Sequence, residues 1–541
     1  MISLWLDGEL KEEERDKPAL IFFGRKWSYR QLYEQSEYLG DFLKLQNLAI
    51  GDRVMVLLPN CPQMVISYLG INKAGGTMAA LNPLLRSDEL VEMAKQIKPK
   101  FFITLLDFAE HNAALWKVLP EDCKKVVVRM SWALPLWLKP LYFLKTLRAK
   151  PRSGDFSWRR LVSWRNMLAW FDCHGEEERA ESGRNPYDLN NIAVLQFTGG
   201  TTGTPKAAML TNANLICNAQ QALAMVGNAI TKDSVVLGAI PFFHVYGLSV
   251  CLNIALMRGA TLILTPRFIP AQVLKLMEKY KVTLFPGVPR MFSALLQSSA
   301  ISKTDLSALK LCVSGSGALN RDVRKKFVEL TGSKIREGYG LSEASPIVAI
   351  EPPEKEKPGS LGIPVLGTEI RIVPDEDAKP EEGGELWVRG PQVMKGYFNN
   401  EAETALVMTP DRWLKTGDMV RWDGEYLVMT DRKKDLIKVR GENIYPSEIE
   451  AALSQLAGVK EVAVVGAPDY DHGEKIIACV IKTTPLALTE KEVLDFCSDR
   501  LGKSKVPQQV SFMDDFPRNF LGKVQKKELR KMFVDPTKNP A

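Results

Sequence analysis

Runs of consecutive apolar residues alternate with helical spacing patterns from residue 20 to about residue 430. A short apolar run between polar or glycine-rich segments is typical of a strand that is buried on both faces of a parallel sheet. Clear examples are Arg53–Leu58, Ile192–Phe197, Val282–Phe285 and Leu309–Val313. The alternation predicts an α/β fold with mostly parallel sheets, because parallel strands need crossover connections that are usually helices.

The pattern changes twice toward the C-terminus. Between Lys355 and Glu385, proline, glycine and acidic residues are frequent and the strands are short, which predicts a β-rich subdomain. The charged run Asp431–Asp435 then separates two strand-like segments. We therefore predict a large N-terminal domain over residues 1–430, a hinge linker over 431–436 and a small α+β domain over 437–541.

The predicted small domain alternates helices with strands. Thr489 is followed three residues later by Glu492, the spacing of a capping box at a helix start. The predicted elements are a helix capped by Ser447 that runs to about Gln455, strands at Val462–Val465 and Ile476–Val480, and a helix from Thr489 to about Leu501.

The composition is that of an ordinary globular protein, with 45% hydrophobic and 25% charged residues in 541. The eight cysteines form no CxxC pair, so reduced, mostly buried thiols in a cytoplasmic protein are expected. The N-terminal stretch becomes acidic too early to form a signal peptide. The apolar run Val245–Met257 ends at Arg258 and is too short to cross a bilayer, so we predict a buried element there.

The net charge of +7 is concentrated in one segment. Residues 124–165 contain eleven lysines and arginines but a single acid, Asp155, so the rest of the chain is slightly acidic. The segment is also rich in tryptophan, tyrosine and leucine, a combination that suits a membrane interface. Pro135 and Pro140 exclude one long helix. Peripheral contact with the inner face of the membrane and a solvated basic loop both fit this pattern.

The stretch Thr198–Lys206 has the sequence TGGTTGTPK. It follows a predicted strand and precedes Thr211–Leu215, which has the pattern of a capped helix start. Glycines let backbone N–H groups approach phosphate oxygens, threonine hydroxyls donate hydrogen bonds, and a lysine adds positive charge. The stretch is not a Walker A loop, because Ala207 stands where that motif has serine or threonine. We predict a phosphate-binding loop in a strand–loop–helix context. Its candidate binding residues are Thr198, Gly199, Gly200, Thr201, Thr202, Gly203 and Lys206.

Further motifs follow this loop along the chain, and each combines glycine or aromatic residues with a group able to do polar chemistry. Taken alone, the histidine among them is typical of a core residue. The motifs are Pro241–Gly247 (PFFHVYG, with His244), Ser314–Ala318 (SGSGA, after a predicted strand), Glu337–Glu343 (EGYGLSE), Leu414–Asp418 (LKTGD) and Pro517–Lys523 (PRNFLGK).

Together these motifs resemble the acyl-adenylate-forming superfamily of acyl-CoA synthetases, nonribosomal adenylation domains and firefly luciferases. The resemblance extends from Trp27–Tyr29 to Lys523. It is strongest to bacterial long-chain fatty acyl-CoA synthetases, through the motifs FTGGTTGTPK, FFHVYG, GYGLSE and DRKKDLI. It implies that a carboxylate attacks the α-phosphorus of ATP, giving acyl-AMP and pyrophosphate, and that the CoA thiol then displaces AMP. ATP, Mg²⁺ and CoA are the implied cofactors, with a fatty acid as the other substrate.

The resemblance also implies roles for individual residues. The glycine loop is expected to hold the β- and γ-phosphates, and Glu343 and Thr198 are the candidate Mg²⁺ ligands. Tyr339, Gly340, Gly315, Ser316 and Gly317 are expected to contact the adenine, and Asp418 and Arg432 the ribose. The Ser342 hydroxyl is expected near the α-phosphate, and Lys523 is expected to contact the acyl carboxylate and the α-phosphate. The remaining expectations are a hinge at Lys434, a catalytic His244 and a cofactor-binding Lys438.

The acyl substrate is indicated by the absence of acids from Phe242 to Leu262, where amino-acid-activating relatives carry an aspartate. The apolar stretch Val245–Leu252 suits the wall of an acyl tunnel, although a buried helix has the same pattern. We therefore expect a medium- to long-chain fatty acid–CoA ligase. An acyl-AMP ligase that loads an acyl carrier protein and an inactive membrane-associated lipid-binding protein are the alternatives. No nucleic-acid partner is expected, and the sequence leaves open whether the chain forms a homodimer.

Overall fold

The computed structural model describes residues 11–106, 108, 113–140, 161–164, 167, 188–198, 205–352, 355–374, 383–439, 442–469, 473–484, 488–502, 505–519 and 522–534. The chain forms two compact units. Unit 1 comprises Met1–Gly359, Pro364–Thr368 and Arg389–Thr409, and unit 2 comprises Ser360–Ile363, Glu369–Val388 and Pro410–Ala541.

The strands of unit 1 are short and mostly buried. In chain order they are β1 (Pro18–Phe22), β2 (Arg25–Ser28), β3 (Arg53–Leu57), β4 (Thr77–Ala80), β5 (Phe101–Leu105), β6 (Lys124–Val128), β7 (Leu161–Ser163), β8 (Ile192–Thr198), β9 (Lys206–Thr211), β10 (Val235–Gly238), β11 (Thr261–Leu264), β12 (Leu284–Gly287), β13 (Leu311–Ser314), β14 (Lys334–Gly340), β15 (Ile347–Ile350) and β16 (Ile363–Pro364).

Helices connect these strands. They are α1 (Tyr29–Leu45), α2 (Pro62–Lys73), α3 (Ser87–Ile97), α4 (Ala113–Val118), α5 (Met130–Ala133), α6 (Asn212–Val226), a π-helix (Gly247–Asn253) continued by α7 (Ile254–Met257), α8 (Pro270–Lys279), α9 (Pro289–Leu296), α10 (Arg321–Thr331) and α11 (Glu401–Val407), with 3₁₀ turns at Glu12–Glu14, Leu136–Leu138, Gly227–Ala229, Ile301–Lys303 and Ser342–Ala344.

Two sheets organise unit 1. One has the strand order β7-β6-β5-β3-β4-β8-β9, and the other has the order β16-β15-β14-β13-β12-β10-β11-β1-β2. Most neighbouring pairs are parallel, and antiparallel pairs such as β8–β9, β14–β15 and β1–β2 lie toward the sheet edges. The predicted α/β fold with mostly parallel sheets is therefore confirmed.

Several predicted elements are present in the structure. Arg53–Leu58 and Ile192–Phe197 correspond to β3 and β8, and every residue of the apolar run Val245–Met257 is buried, as predicted. The strands predicted at Val282 and Leu309 each begin two residues later, because the β12–β13 ladder starts at the pair Leu284–Leu311. The described residues include no helix that is both long enough and apolar enough to span a membrane.

Unit 2 contains two sheets. Its elements are β17 (Glu369–Val373), β18 (Gly384–Arg389), β19 (Leu414–Asp423), β20 (Tyr426–Arg432), a 3₁₀ turn (Lys433–Asp435), β21 (Ile437–Val439), β22 (Glu442–Ile444), α12 (Pro446–Leu453), β23 (Val459–Asp469), β24 (Gly473–Lys482), α13 (Glu490–Arg500), β25 (Gln509–Phe512) and α14 (Lys526–Lys531). The first sheet has the order β17-β18-β19-β20, and the second has the order β22-β21-β24-β23, with β25 paired in parallel with β24.

The C-terminal sheet is covered on both faces. Ile449 and Val493 belong to a buried cluster with α12 and α13, while Leu529 of α14 belongs to a second cluster that includes Phe516. The predicted capping box is present, with the Thr489 side chain accepting from Glu492 N–H. The predicted Ser447 cap is wrong. Tyr445 precedes α12, and the Ser447 hydroxyl, inside the helix, instead donates to the carbonyl of Thr430.

Candidate active site

The glycine loop connects two antiparallel strands. Thr198, the last residue of β8, is paired with Lys206, the first residue of β9, and the Thr198 hydroxyl approaches the Lys206 carbonyl at 3.5 Å. The predicted strand–loop–helix context is therefore wrong, because residues 206–211 form a second strand before the helix begins. The helix start itself is confirmed, since Thr211 and Asn214 form a capping box on α6. Gly199, Gly200, Thr201, Thr202 and Gly203 lie outside the described residues.

The histidine motif lies against the strand that leads into this loop. The side-chain N–H of Gln196, on β8, donates to the carbonyl of Phe243 at 3.1 Å. The next residue, His244, accepts a hydrogen bond of 3.2 Å from Tyr246 N–H at Nδ1. Desolvation by the surrounding protein lowers the pKa of His244 to about 4. The imidazole is therefore neutral at pH 7, and its Nε2 carries the proton.

Tyr246 connects the histidine motif to the turn after β13. Its hydroxyl donates to the carbonyls of Gly287 and Val313, both at 3.0 Å. Its ring lies so close to Gly315 that a Cβ there would come within 3.0 Å of the ring. The turn continues through Ser316 with a φ of 69°, and Ser316 and Gly317 are exposed. The turn predicted to contact the adenine is therefore exposed at Ser316 and Gly317, and the ring of Tyr246 packs against it at Gly315.

A buried ionic network ties this turn to β14, which carries Tyr339. Glu337 of β14 accepts from Leu319 N–H at 3.0 Å and from Arg324 Nη1 at 3.0 Å. The same Arg324 nitrogen donates to Glu351 at 3.1 Å. Burial raises the pKa of Glu337, and the guanidinium opposes that shift. Breaking such a buried pair from one side leaves an uncompensated charge, so the network fixes the turn relative to Tyr339.

Tyr339 and Gly340 are the last two residues of β14, and they lead into the turn that carries Ser342 and Glu343. Tyr339 is half-buried and pairs with Ala349 of β15. A Cβ at Gly340 would lie 2.0 Å from the carbonyl oxygen of Pro346, so only glycine permits this close approach of the backbone. The 3₁₀ turn Ser342–Ala344 follows directly, and β8 and β9 lie against it. Both strands that flank the glycine loop therefore contact the turn that carries Ser342 and Glu343.

Two further residues join this group, and the sequence analysis did not identify them. The hydroxyl of Tyr397 donates to Glu343 Oε1 at 2.8 Å. The ammonium of Lys206 lies 2.5 Å from Glu403 Oε2 and 5.5 Å from the centre of the Tyr397 ring. Within unit 1, the structure thus connects the predicted phosphate-binding lysine to the predicted metal-binding carboxylate. In this part of the sequence, the one local signal is Asn400, a helix-capping residue whose side chain accepts from Glu403 N–H.

In unit 2, Asp418 and Arg432 are cross-strand neighbours on β19 and β20. Arg432 Nε lies 3.1 Å from Asp418 Oδ1, and Asp418 is buried. Gly417 precedes the aspartate with a φ of 70°. The structure therefore brings together the two residues predicted to contact the ribose, with their charged groups in direct contact.

Lys523 belongs to the same group of charges. Its pKa is lowered to about 8, mainly by desolvation and then by repulsion from Arg432, with Asp418 acting in the opposite direction. The residue as a whole is nevertheless exposed, so desolvation of its ammonium is partial. The lysine follows Gly522, whose φ is 83°, and its N–H donates to the Asn519 side chain at 2.9 Å.

The predicted hinge contains the 3₁₀ turn Lys433–Asp435, and both the turn and the residue Asp431 before it are bound by residues from later in the chain. Lys434 is exposed, and Arg530 of α14 donates to the carbonyls of Lys434 and Asp435 at 3.1 and 3.2 Å. Just before the turn, the buried carboxylate of Asp431 accepts from Ser447 N–H at 2.9 Å. The contacts of Arg530, Asp431 and Ser447 have no local signal in the sequence, because their partners are distant in the chain. Lys438 is exposed on β21, and its N–H donates to Glu474 at 2.7 Å.

The donor set around Glu343 fits Mg²⁺. A carboxylate and a threonine hydroxyl are hard oxygen ligands, and Mg²⁺ is commonly held by one or two carboxylates together with substrate phosphates. Glu343 lies on a half-exposed turn against the strand that ends at Thr198. Glu343 and Thr198 are therefore the residues that would hold the ion.

Comparison with known proteins identifies the class. The model of the AMP-binding enzyme family matches residues 9–398, and that of the AMP-binding enzyme C-terminal domain matches residues 448–523. This chain belongs to the AMP-binding enzyme family, and the resemblance inferred from its motifs is confirmed.

Similar proteins are found among both sequences and solved structures. The long-chain-fatty-acid–CoA ligase of Bacillus subtilis is 39% identical over 520 residues, covering 95% of this chain and 91% of that protein. The protein of the same name from Haemophilus influenzae is 36% identical, covering 96% and 92%. ATP-bound MatB from Rhodopseudomonas palustris has a TM-score of 0.83 at 28% identity, covering 99% of each chain. The anthranilate CoA ligase AuaEII, in complex with anthranoyl-AMP, has a TM-score of 0.82 at 25% identity, covering 98% and 96%.

Proposed function

We propose that this protein is an AMP-forming fatty acid–CoA ligase that acts on medium- to long-chain fatty acids. The acid would attack the α-phosphorus of ATP, forming acyl-AMP and releasing pyrophosphate. The CoA thiolate would then attack the acyl carbonyl carbon, releasing AMP. The observation that carries the proposal is the connected group of Lys206, Tyr397 and Glu343, which would place a cation and a hard carboxylate where a triphosphate needs them.

The residues of unit 1 would bind the nucleotide and the acid. Lys206 and the glycine loop would hold the leaving pyrophosphate, and Tyr339 with the turn Gly315–Gly317 would contact the adenine. Glu343 and Thr198 would hold Mg²⁺, which offsets phosphate charge when bound. His244 would act as a neutral hydrogen-bond partner near the acyl carboxylate, since its pKa is about 4.

The acyl chain would lie along the π-helix Gly247–Asn253. All seven residues are buried, and no acid occurs between Phe242 and Leu262 to bind an ammonium group. A π-helix is rare and is often found at functional sites. The two relatives named above as long-chain-fatty-acid–CoA ligases support a long apolar chain as the substrate.

The residues of unit 2 would serve the chemical steps. Asp418 and Arg432 would hold the ribose, and Lys523 would contact the acyl carboxylate and the α-phosphate during adenylation. Residues 431–436 would form the hinge between a domain over 1–430 and a small domain over 437–541, which would turn about Lys434 between the steps. Lys438 would contact a cofactor after that turn. We place the protein in the cytoplasm, in contact with the inner face of the membrane through residues 124–165.

The decisive experiment measures the two half-reactions separately. ATP–pyrophosphate exchange should depend on added fatty acid, and acyl-CoA should form when CoA is supplied. Exchange without transfer to CoA, but with transfer to an acyl carrier protein, would identify a carrier-protein ligase instead. A lack of exchange with fatty acids from 8 to 18 carbons would overturn the proposal and favour an inactive lipid-binding protein.

A further inference from the structure

Tyr397 lies between two active-site candidates that are 137 residues apart in the chain. Its hydroxyl contacts Glu343, and its ring lies under the ammonium of Lys206. Glu403 holds the same ammonium from another side, and both members of that ion pair are mostly buried. The four side chains form a continuous series in the order Glu403, Lys206, Tyr397, Glu343.

The backbone fixes Tyr397 firmly. The segment around it continues the sheet beyond β9, with an antiparallel bridge between Ala208 and Tyr397. Phe398 N–H donates to the carbonyl of Ala207 at 2.8 Å, and Met209 N–H donates to that of Gly396 at 2.9 Å. The ring position is therefore set by strand pairing with the strand that begins at Lys206 itself.

Glu403 is also held by local structure. It lies in the first turn of α11, whose cap is Asn400, and Thr404 accepts from Tyr397 N–H at 2.9 Å. The helix start and the edge segment thus support each other. Lys206 ends a glycine-rich loop, so without a fixed partner its long side chain would lose more conformational entropy when it binds phosphate.

The chemistry of the tyrosine suits an orienting role. Its hydroxyl donates to Glu343 Oε1 at 2.8 Å, and a phenol carries its proton at neutral pH. A hydrogen bond to one carboxylate oxygen sets the direction of the other lone pairs. Hydrogen bonds to charged groups are stronger than those between neutral groups.

We propose that Tyr397 and Glu403 are positioning residues that preset the active site before the nucleotide binds. Tyr397 orients the Glu343 carboxylate for Mg²⁺, and Glu403 holds the Lys206 ammonium above the Tyr397 ring for the phosphates. The proposal rests on the proposed function for the identity of the ligand, MgATP, but it makes separate claims for the metal and for the phosphates.

The test uses nucleotide binding as well as turnover. We expect Tyr397→Phe to raise the Mg²⁺ concentration needed for half-maximal adenylation about tenfold, as expected when a hydrogen bond to a charged group is lost. Saturating Mg²⁺ should restore most of kcat. The thermal stabilisation given by ATP with EDTA should be unchanged in this variant, while the additional stabilisation by Mg²⁺ should shrink.

Glu403→Gln should show the complementary result. Its stabilisation by ATP should fall with and without Mg²⁺, and its KM for ATP should rise several-fold at an unchanged Mg²⁺ requirement. Tyr29→Phe is the matched control, because it removes a buried tyrosine hydroxyl that donates to the Ala260 carbonyl at 2.7 Å, far along the chain from these residues.

The outcomes separate the claims. If Tyr397→Phe leaves the Mg²⁺ dependence of both binding and adenylation unchanged, or behaves like Tyr29→Phe, the orienting role is wrong. If Glu403→Gln binds ATP as tightly as the wild type, the lysine-holding role is wrong. If the wild type binds MgATP but activates no fatty acid, the proposed function is wrong. The roles of Tyr397 and Glu403 are then still decided by comparing how ATP and MgATP stabilise the variants and the wild type.

Discussion

Asp418 and Arg432 face each other across β19 and β20, with Arg432 Nε 3.1 Å from Asp418 Oδ1. The aspartate is buried and the arginine half-buried. Both also act on the charge of Lys523, since Asp418 raises its pKa and Arg432 lowers it. One ion pair therefore influences both the predicted ribose contact and the protonation of the predicted catalytic lysine.

Replacing Asp418 with Asn should weaken ATP binding and shift the pH profile together. The KM for ATP should rise about tenfold or more, because hydrogen bonds to a charged acceptor are lost. The pKa of Lys523 should fall further without the carboxylate, so adenylation should decline at a lower pH than in the wild type. The measurement is kcat/KM for adenylation against pH, with Asp423→Asn, at the last residue of β19, as the control. An unchanged pH profile would contradict the coupling.

Lys523 should make adenylation decrease as the pH rises through about 8. The ammonium is needed to contact the anionic groups, and with a pKa of about 8 half of it is deprotonated at that pH. Lys523→Arg should keep its charge and flatten this alkaline limb, whereas Lys523→Ala should lose about 10²–10³-fold, the size found for groups that stabilise transition-state charge.

The second half-reaction is the control for Lys523. Thioester formation from supplied acyl-AMP should survive in Lys523→Ala, because this step does not use the contact with the α-phosphate. Equal losses in both half-reactions would show that the lysine is needed for the fold rather than for adenylation.

Ser447 should matter for adenylation more than for thioester formation. Its hydroxyl donates to the carbonyl of Thr430, just before the predicted hinge, and its N–H donates to the carboxylate of Asp431, the first residue of that hinge. Lys523 lies beside Arg432 in the same arrangement. Ser447→Ala should slow adenylation several-fold and leave transfer from acyl-AMP to CoA unchanged or faster. Ser454→Ala, which removes an exposed hydroxyl at the end of the same helix, is the matched control. A uniform decrease in both steps would argue against a pose-specific contact.

The exposed residues Leu136 and Trp137 should contribute to membrane contact. They are 81% and 70% exposed on a 3₁₀ turn within the basic segment. Residues 141–160 and 165 of that segment lie outside the described residues. Replacing both with Gln should reduce cosedimentation with anionic vesicles, since apolar burial at the headgroup boundary is lost.

The same cosedimentation assay can separate the contributions of charged and apolar side chains to vesicle binding. A variant with Lys139, Lys145, Arg148, Lys150 and Arg152 changed to Gln should lose the salt-sensitive part of binding, because ions screen charges over about 8–10 Å. Leu84→Gln, which removes an exposed leucine outside the segment, is the control. Equal vesicle binding by all variants would indicate a solvated loop.

Sequence reasoning succeeded where the signal is local. The capping box of Thr489 and Glu492 and the capped helix start at Thr211 each depend on a few neighbouring residues, and both are present. The apolar runs of β3 and β8 needed only their own composition to be identified as buried strands. The family could be identified because its motifs are contiguous, and each keeps its chemistry within a few residues.

Tertiary structure decided what depends on partners far along the chain. Residues 206–211 became a strand because they pair with β8, and Ser447 bonds to Thr430 instead of capping a helix. Tyr397 and Glu403 carry no local signal for a role, because their partners Glu343 and Lys206 are 54 and 197 residues away. The sequence by itself determined the elements and the chemical groups, since these depend on neighbouring residues. Packing and strand pairing determined which of those groups meet, because such contacts are made only when distant segments fold together.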